Sequence, residues 1–311
     1  MTNLRPLTVI CDSLNWDALN EAHFFTDVLL SALLRPIRYK VLTPNCRLEV
    51  QDNVLIFNLG NALDDVVHLF LESGCQNVGM VEWCHSDQTS HKYSWDVSYI
   101  LTPFYEALKR YPPGSPVTWI PVGYKTGVGP RHPGLLQPFS QRPSMMFFAG
   151  FADTPDRQAM LSAFYGADLP GNIITTEQFN GVGGGVGVNL YRTYMEQARF
   201  ALIPRGSAAD AETMRLYEAM ELGAIPITLM HDYIEEILPV GCPIVKLADW
   251  SELPEFYAGL LARADWEAVM DRTQAHIHGW WRGFQRSAAQ RVAAAIESSF
   301  QKNDRKEVVN E

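Results

Sequence analysis

Three consecutive stretches of the chain decide its fold: Phe200-Ala-Leu-Ile-Pro-Arg-Gly206, Glu212-Thr-Met-Arg-Leu-Tyr-Glu218-Ala and Gly223-Ala-Ile-Pro-Ile227. Their order of apolar and polar residues predicts a buried strand, a short loop, a helix and a second strand. In an α/β domain, ligands lie at the carboxyl ends of the strands and against the N-termini of helices. The loop and the helix therefore carry the residues that we expect to meet a ligand.

Three charged side chains, Arg205, Arg215 and Glu218, fall around that expected crevice. Two guanidinium groups can hold a diphosphate through bidentate hydrogen bonds, and a carboxylate one helical turn away suits the two hydroxyls of a ribose. Gly206 allows the backbone to approach a phosphate closely. The pattern predicts a nucleotide-sugar pocket. The alternative is a solvated ion pair between Arg215 and Glu218, which lie three residues apart on the predicted helix.

Length and composition limit the classes of protein to consider. A chain of 311 residues favours two domains, and 47% hydrophobic with 19% charged residues is typical of a soluble globular protein. The formal net charge of -10 argues against a nucleic-acid partner, because no basic block is present. The chain has five scattered cysteines, no apolar core of a signal peptide, and no apolar run near the ~20 residues of a membrane span. These features predict a cytoplasmic protein. Any membrane contact is expected to be peripheral.

Short apolar runs alternate with amphipathic stretches along the whole chain, which predicts parallel sheets covered by helices. A segment rich in proline and glycine at 129–144 marks the predicted domain boundary. The strands predicted after it lie at 145–148, 172–175, 200–203, 225–228 and 243–246. We expect an N-terminal Rossmann-like domain at 1–140, a C-terminal Rossmann-like domain at 141–275, and a final helix with a polar tail at 276–311.

The three stretches resemble a known family. Phe-x-Leu-x-Pro-Arg-Gly, Glu-Thr-x-Arg-x-Tyr-Glu-Ala and Gly-x-Ile-Pro are similar to the C-terminal half of exostosin-type glycosyltransferases of family 47, especially the subgroup that includes the ribitol xylosyltransferase. Phe147-Phe-Ala-Gly150 with Arg157 is similar to the opening of the same domain. In the first half, His85-Ser-Asp-Gln88 resembles the subgroup's His-x-Ser-Asp-Glu turn, with glutamine in place of the acid, and Trp119-Ile-Pro-Val-Gly-Tyr-Lys-Thr-Gly127 resembles its Ile-Pro-Leu-Gly-Tyr segment.

The resemblance implies a fold and an activity. The fold is GT-B, in which two Rossmann-like domains face each other across a cleft and a C-terminal helix crosses back to the first. The first domain would hold the acceptor and the second the donor, and a sugar would pass from a UDP-sugar to a hydroxyl with inversion, in polysaccharide or glycoconjugate synthesis. The donor site would comprise Arg205, Gly206, Ser207, Glu212, Thr213, Arg215 and Glu218.

Three side chains after a predicted strand of the first domain are candidates for the catalytic base. An inverting transfer needs one group to take the proton of the attacking hydroxyl. Asp87 is the first choice, with His85 and Glu82 behind it. Asp87 could equally cap a loop or a helix, since spacing does not separate these roles.

No metal or other cofactor is expected. The chain has no Asp-x-Asp pair, and two arginines can balance the charge of a leaving diphosphate. The glycine run at 181–187 does not fit the dinucleotide fingerprint, because the third required glycine falls on valine. The expected partners are a nucleotide-sugar donor and a saccharide or other hydroxyl acceptor. The alternatives are a non-catalytic nucleotide- or carbohydrate-binding protein of the same fold and a nicotinamide-dependent oxidoreductase.

Overall fold

The computed structural model describes residues 5–12, 23–42, 53–58, 63–82, 96–103, 105–176, 186–206, 213–236, 238 and 241–309. It contains a six-stranded and a five-stranded sheet, and every strand pair is parallel. The predicted α/β class is confirmed. The chain divides into a first unit, Met1–Val122 with Gln285–Glu311, and a second unit, Gly123–Phe284.

The sheet of the first unit has the strand order β2-β1-β3-β4-β5-β6. Its inner strands are apolar on both faces, as parallel strands covered by helices require. The side chains of β1, β3 and β4 pack with the first α-helix in one core, formed by Ile10, Val54, Ile56, Val67, Phe70, Val78, Met80 and Ile100 among others. The strands are β1 Leu7–Asp12, β2 Ile37–Leu42, β3 Asn53–Asn58, β4 Asn77–Glu82, β5 Tyr99–Thr102 and β6 Val117–Trp119.

The described helices of the first unit are short, apart from the end of the last helix of the chain. They are a π-helical turn Phe24–Leu29, α1 Asp64–Glu72 and α2 Tyr105–Arg110. Arg35 fixes the end of the last helix within this unit: its Nε lies 2.8 Å from Oε1 of Glu297, and its guanidinium lies 3.3 Å from the ring centroid of Phe300. A bidentate ion pair with a cation–π contact fixes the position of this part of the helix.

The sheet of the second unit contains all five strands predicted after the proline-rich segment. They are β7 Ser144–Phe151, β8 Gly171–Thr176, β9 Ala198–Ile203, β10 Ile225–Leu229 and β11 Val245–Leu247, in the order β11-β10-β9-β7-β8. The chain passes from β7 outward to β8 and then returns to β9 on the other side of β7. This reversal places the ligand crevice of such a sheet at the carboxyl ends of β7 and β9.

The helices of the second unit connect these strands. They are α3 Pro155–Gly166, α4 Val188–Gln197, α5 Met214–Leu222, α6 Asp232–Glu236 and α7 Leu253–Leu261. The described connections also include three short 3₁₀ turns, Pro133–Leu135, Phe139–Gln141 and Trp250–Glu252, and α8 spans Trp266–Val309. Within the described part of the chain, no helix has both the length and the apolar character needed to cross a membrane.

A buried arginine organises the amino ends of the second sheet. Arg142 is 1% exposed and donates to the carbonyl oxygens of Ala198 at 2.9 Å and Leu222 at 2.7 Å. These carbonyls lie at helix C-termini, where the helix leaves acceptors without partners. Gly223 ends α5 with a φ of 78°, and a Cβ there would lie 2.6 Å from Nη2 of Arg142. Burial lowers the pKa of Arg142 to about 10, so the group remains a cation at neutral pH.

Candidate functional site

Two helices of the second unit begin at the carboxyl ends of β7 and β9. After β7, the Thr154 hydroxyl accepts a hydrogen bond from the backbone N–H of Arg157 at 3.3 Å and caps α3. After β9, the chain enters α5 with Thr213 as its N-cap residue. Unpaired N–H groups and the helix dipole make each N-terminus attractive to an anion. Both helices therefore direct positive potential to the edge where the strand order reverses.

Arg215, in the first turn of α5, lies across the carboxyl end of β7. Its Nε donates to the carbonyl oxygen of Ala149 at 2.8 Å, and its Nη1 lies 3.2 Å from the hydroxyl of Thr213. A Cβ on Gly150 would lie 2.2 Å from Nη2, so this close approach requires glycine. Among the described residues Nη2 has no hydrogen-bond partner. The guanidinium is thus fixed in direction and keeps donors available for an anion.

A second guanidinium, that of Arg157, lies close to Arg215. Arg157 is 2% exposed and donates through Nη1 to the carbonyl oxygen of Phe151 at 2.5 Å and to Oδ1 of Asp153 at 3.3 Å. Its Nε is buried, and no described residue accepts from it. Burial lowers the pKa of Arg157, and the charge of Arg215 lowers it further. The two like charges leave this edge short of negative charge, which a bound anion would supply.

Arg205 and Gly206 follow the carboxyl end of β9. The side chain of Arg205 is exposed and forms no hydrogen bond or ion pair with the other described residues. Its backbone N–H donates to Oδ2 of Asp156 at 2.6 Å. The other carboxylate oxygen of Asp156 accepts from Nε1 of Trp250 at 2.9 Å. The main chain at Arg205 is therefore fixed, and its side chain has no partner within the described ranges.

Glu218 lies one turn beyond Arg215 on α5 and is enclosed. It is 1% exposed and accepts hydrogen bonds from the Tyr191 hydroxyl at 2.6 Å and from the backbone N–H of Lys125 at 3.3 Å. Burial raises the pKa of Tyr191 well above its usual value, and the Glu218 carboxylate raises it further. Arg215 and Glu218 do not pair with each other, which excludes a simple surface ion pair. The ribose role of Glu218 stays a prediction.

The candidate bases are described only in part. Glu82 ends β4 in the first unit, is 2% exposed and accepts a hydrogen bond from the Tyr111 hydroxyl. Burial raises the pKa of Tyr111, and the neighbouring carboxylate raises it further. His85 and Asp87 lie outside the described residues, so the choice of Asp87 as base stays a prediction.

Two members of the predicted donor site, Ser207 and Glu212, also lie outside the described residues. Within the described ranges, no three histidine, cysteine, aspartate or glutamate side chains are close enough to hold a metal ion. Of the described donor-site candidates, Arg205 and Gly206 follow β9, and Thr213 and Arg215 begin α5, where Arg215 contacts Ala149 of β7; Glu218 lies one turn further along α5. Sequence reasoning did not include Arg157, Asp156 or Tyr191 in the site. Their signal is position: Asp156 and Arg157 lie in the first turn of α3, which follows β7, and Tyr191 lies in the first turn of α4.

Comparison with known proteins identifies the fold. No family model matches the sequence, and no curated protein sequence matches it. Among solved structures, Anabaena HepE in complex with UDP and glucose aligns with a TM-score of 0.57 and 11% identity over 95% of this chain and 100% of HepE. The chain has the GT-B fold.

Two further structures support the same fold. Anabaena HepE in complex with UDP-glucose aligns with a TM-score of 0.54 and 10% identity, over 96% of this chain and 100% of HepE. A candidate UDP-N-acetylglucosamine 2-epimerase from Listeria monocytogenes aligns with a TM-score of 0.51 and 13% identity, over 96% of this chain and 97% of that protein. At such identities the likeness establishes fold alone, and function has to be argued from the site.

Proposed function

We propose that this protein is a glycosyltransferase that moves a sugar from a UDP-sugar to an acceptor hydroxyl. The observation that carries the proposal is Arg215, fixed across Gly150 where the strand order of the second sheet reverses, with the buried Arg157 beside it. Two guanidinium groups and two helix N-termini form a site for a diphosphate. The crystal structures of HepE with UDP and with UDP-glucose give the same fold a matching ligand.

In this proposal the donor binds to the second unit. Arg205 and Arg215 stabilise the charge that develops on the diphosphate as the bond from the anomeric carbon to its oxygen breaks. Gly206, Ser207, Glu212 and Thr213 surround the phosphates, and Glu218 holds the ribose.

The acceptor oxygen attacks the anomeric carbon and gives its proton to a base, for which Asp87 remains the first choice, ahead of His85 and Glu82. The enclosed Glu82 carboxylate, bonded to Tyr111, exposes little surface to an acceptor.

The finer features of the proposal rest on charge and on resemblance. Positive charge from arginines and helix N-termini supports transfer without a metal ion. The resemblance of residues 200–227 to exostosin-type enzymes supports inversion and a role in polysaccharide or glycoconjugate synthesis. The Listeria monocytogenes structure shows that the fold alone does not separate a transferase from an epimerase.

The first experiment is calorimetric titration with UDP, GDP, CMP and NAD in the presence of a chelator. We expect UDP to bind and Arg215→Ala to weaken binding, because the variant removes the fixed donors. NAD binding alone would favour an oxidoreductase, and no binding of UDP would refute the proposal.

Incubation with UDP-sugars and candidate acceptors then tests catalysis. Transfer to a hydroxyl supports the proposal. Epimerised sugar nucleotide identifies an epimerase, and binding without turnover identifies a binding protein.

A further inference from the structure

We propose that Asp156 is a positioning residue that sets the direction of Arg205 toward the diphosphate. The inference rests on the proposed function and adds to it a residue that does not itself contact the donor. Asp156 lies in the first turn of α3, half-buried, and its carboxylate is bonded at both oxygens.

The geometry joins three segments that follow three different strands. Asp156 follows β7, Arg205 follows β9, and Trp250 follows β11. The carboxylate receives the backbone N–H of Arg205 at 2.6 Å and the indole N–H of Trp250 at 2.9 Å, and Trp250 is 1% exposed. The buried indole fixes the carboxylate, and the carboxylate fixes the main chain at residue 205.

The side chain of Arg205 depends on that main chain. It is exposed and has no partner among the described residues, so within them only the main chain sets its direction. An asparagine at position 156 would offer one acceptor oxygen to two donors, and its amide nitrogen would face the second N–H. The main chain at residue 205 would then lose a short charge-assisted bond.

The sign of the effect separates positioning from charge. A carboxylate near a diphosphate repels it, so removal of its charge alone should tighten binding. Asp153 is a matched control: it lies three residues earlier, pairs with Arg157 at 3.3 Å and forms no hydrogen bond or ion pair with Arg205. Asp153→Asn keeps an acceptor for Arg157 and removes the same charge. Positioning predicts that only Asp156→Asn weakens binding.

The experiment is calorimetric titration of UDP into the full chain and its variants at one ionic strength. We expect UDP to bind about tenfold more weakly to Asp156→Asn, the loss of about one well-placed hydrogen bond to a charged group. Asp153→Asn should bind as tightly as the unchanged protein or more tightly. In an Arg205→Ala background, Asp156→Asn should cause no further weakening, because no guanidinium remains to be placed.

Several results would overturn the inference. Equal or tighter binding by Asp156→Asn, or a tenfold loss that persists in the Arg205→Ala background, would exclude positioning through Arg205. If Asp156→Asn does not fold, Asp156→Glu replaces it, because glutamate keeps the charge and moves the carboxylate oxygens by one methylene. An unchanged affinity of Asp156→Glu for UDP would also refute the inference. If the unchanged protein binds no UDP, the proposed function is refuted. If it binds UDP but Asp156→Asn binds UDP as tightly as the unchanged protein, only this inference is refuted.

Discussion

Substitution of Gly150 by alanine should misplace Arg215 without changing any charged residue. The new Cβ would lie 2.2 Å from Nη2, and ordinary van der Waals contact begins near 3.4 Å, so the guanidinium must move by about 1.2 Å. A misplacement of about 1 Å at a reacting centre can lower the rate on the order of a hundredfold. A lost hydrogen bond to a charged group costs about 1.5–3 kcal/mol, which is about tenfold to a hundredfold in UDP affinity.

The assay is UDP titration of Gly150→Ala beside Gly166→Ala, a control at the end of α3 where a Cβ meets nothing within 4 Å. The φ of 155° at Gly150 adds backbone strain, so thermal unfolding of both variants is recorded and binding is measured well below the transition. In an Arg215→Ala background the alanine at 150 should have no further effect on affinity. Unchanged affinity of Gly150→Ala, with weak binding by Arg215→Ala, would refute the proposed placement of the guanidinium.

Three further outcomes are expected. Arg142→Met should lower the free energy of unfolding by about 3–5 kcal/mol, because buried carbonyls at helix C-termini lose their donor. Denaturant titration measures this, and a loss smaller than about 1 kcal/mol would contradict a stabilising role for the hydrogen bonds of Arg142 to Ala198 and Leu222. Tyr191→Phe should reduce the preference for UDP over 2′-deoxy-UDP, because Glu218 loses the hydrogen bond that holds its carboxylate. Competitive titration measures this preference, and an unchanged value would argue against a ribose held by Glu218. Burial lowers the pKa of His278 in the folded state, and Arg282 lowers it further. The unfolded chain therefore binds the proton first, and the free energy of unfolding falls as the pH drops through about 6.5. His278→Gln should lose less of this free energy between about pH 7.5 and about pH 5.5 than the exposed control His276→Gln, as denaturant unfolding at each pH would show.

The second sheet was predictable because its three inner strands, β7, β9 and β10, contain continuous apolar runs. Parallel strands covered on both faces lose the alternation of half-exposed strands and read as short blocks of Val, Ile, Leu and Phe. The first four predicted runs lie within β7–β10, and the fifth, 243–246, begins two residues before β11 and ends one residue before its end. Strand order was not readable in the same way, because which strands become neighbours depends on contacts far apart in sequence.

The same limit separates the site residues that were predicted from those that were missed. Arg205 and Arg215 were found because both belong to one local strand–loop–helix pattern. Arg157 was noted only through the family resemblance, and Asp156 was not noted, because their importance depends on β7 lying beside β9. Tyr191 meets Glu218 from a different helix. Motif reasoning finds one segment of a site, and the sheet order supplies the others.

The charges at this edge explain why a diphosphate suits it. Three guanidinium groups, those of Arg157, Arg205 and Arg215, lie on the segments around this edge, and so do three carboxylates, those of Asp153, Asp156 and Glu218, so these side chains carry no net charge together. Two helix N-termini add about half a positive charge each. The positions of the charges therefore matter more than their sum: Arg215 is fixed across the carboxyl end of β7, whereas the Glu218 carboxylate is enclosed by hydrogen bonds from Tyr191 and Lys125. The diphosphate of a sugar nucleotide carries two negative charges and gains a third as the sugar leaves. The arginines then attract the leaving group more strongly as the bond breaks, which is how fixed charge accelerates a transfer.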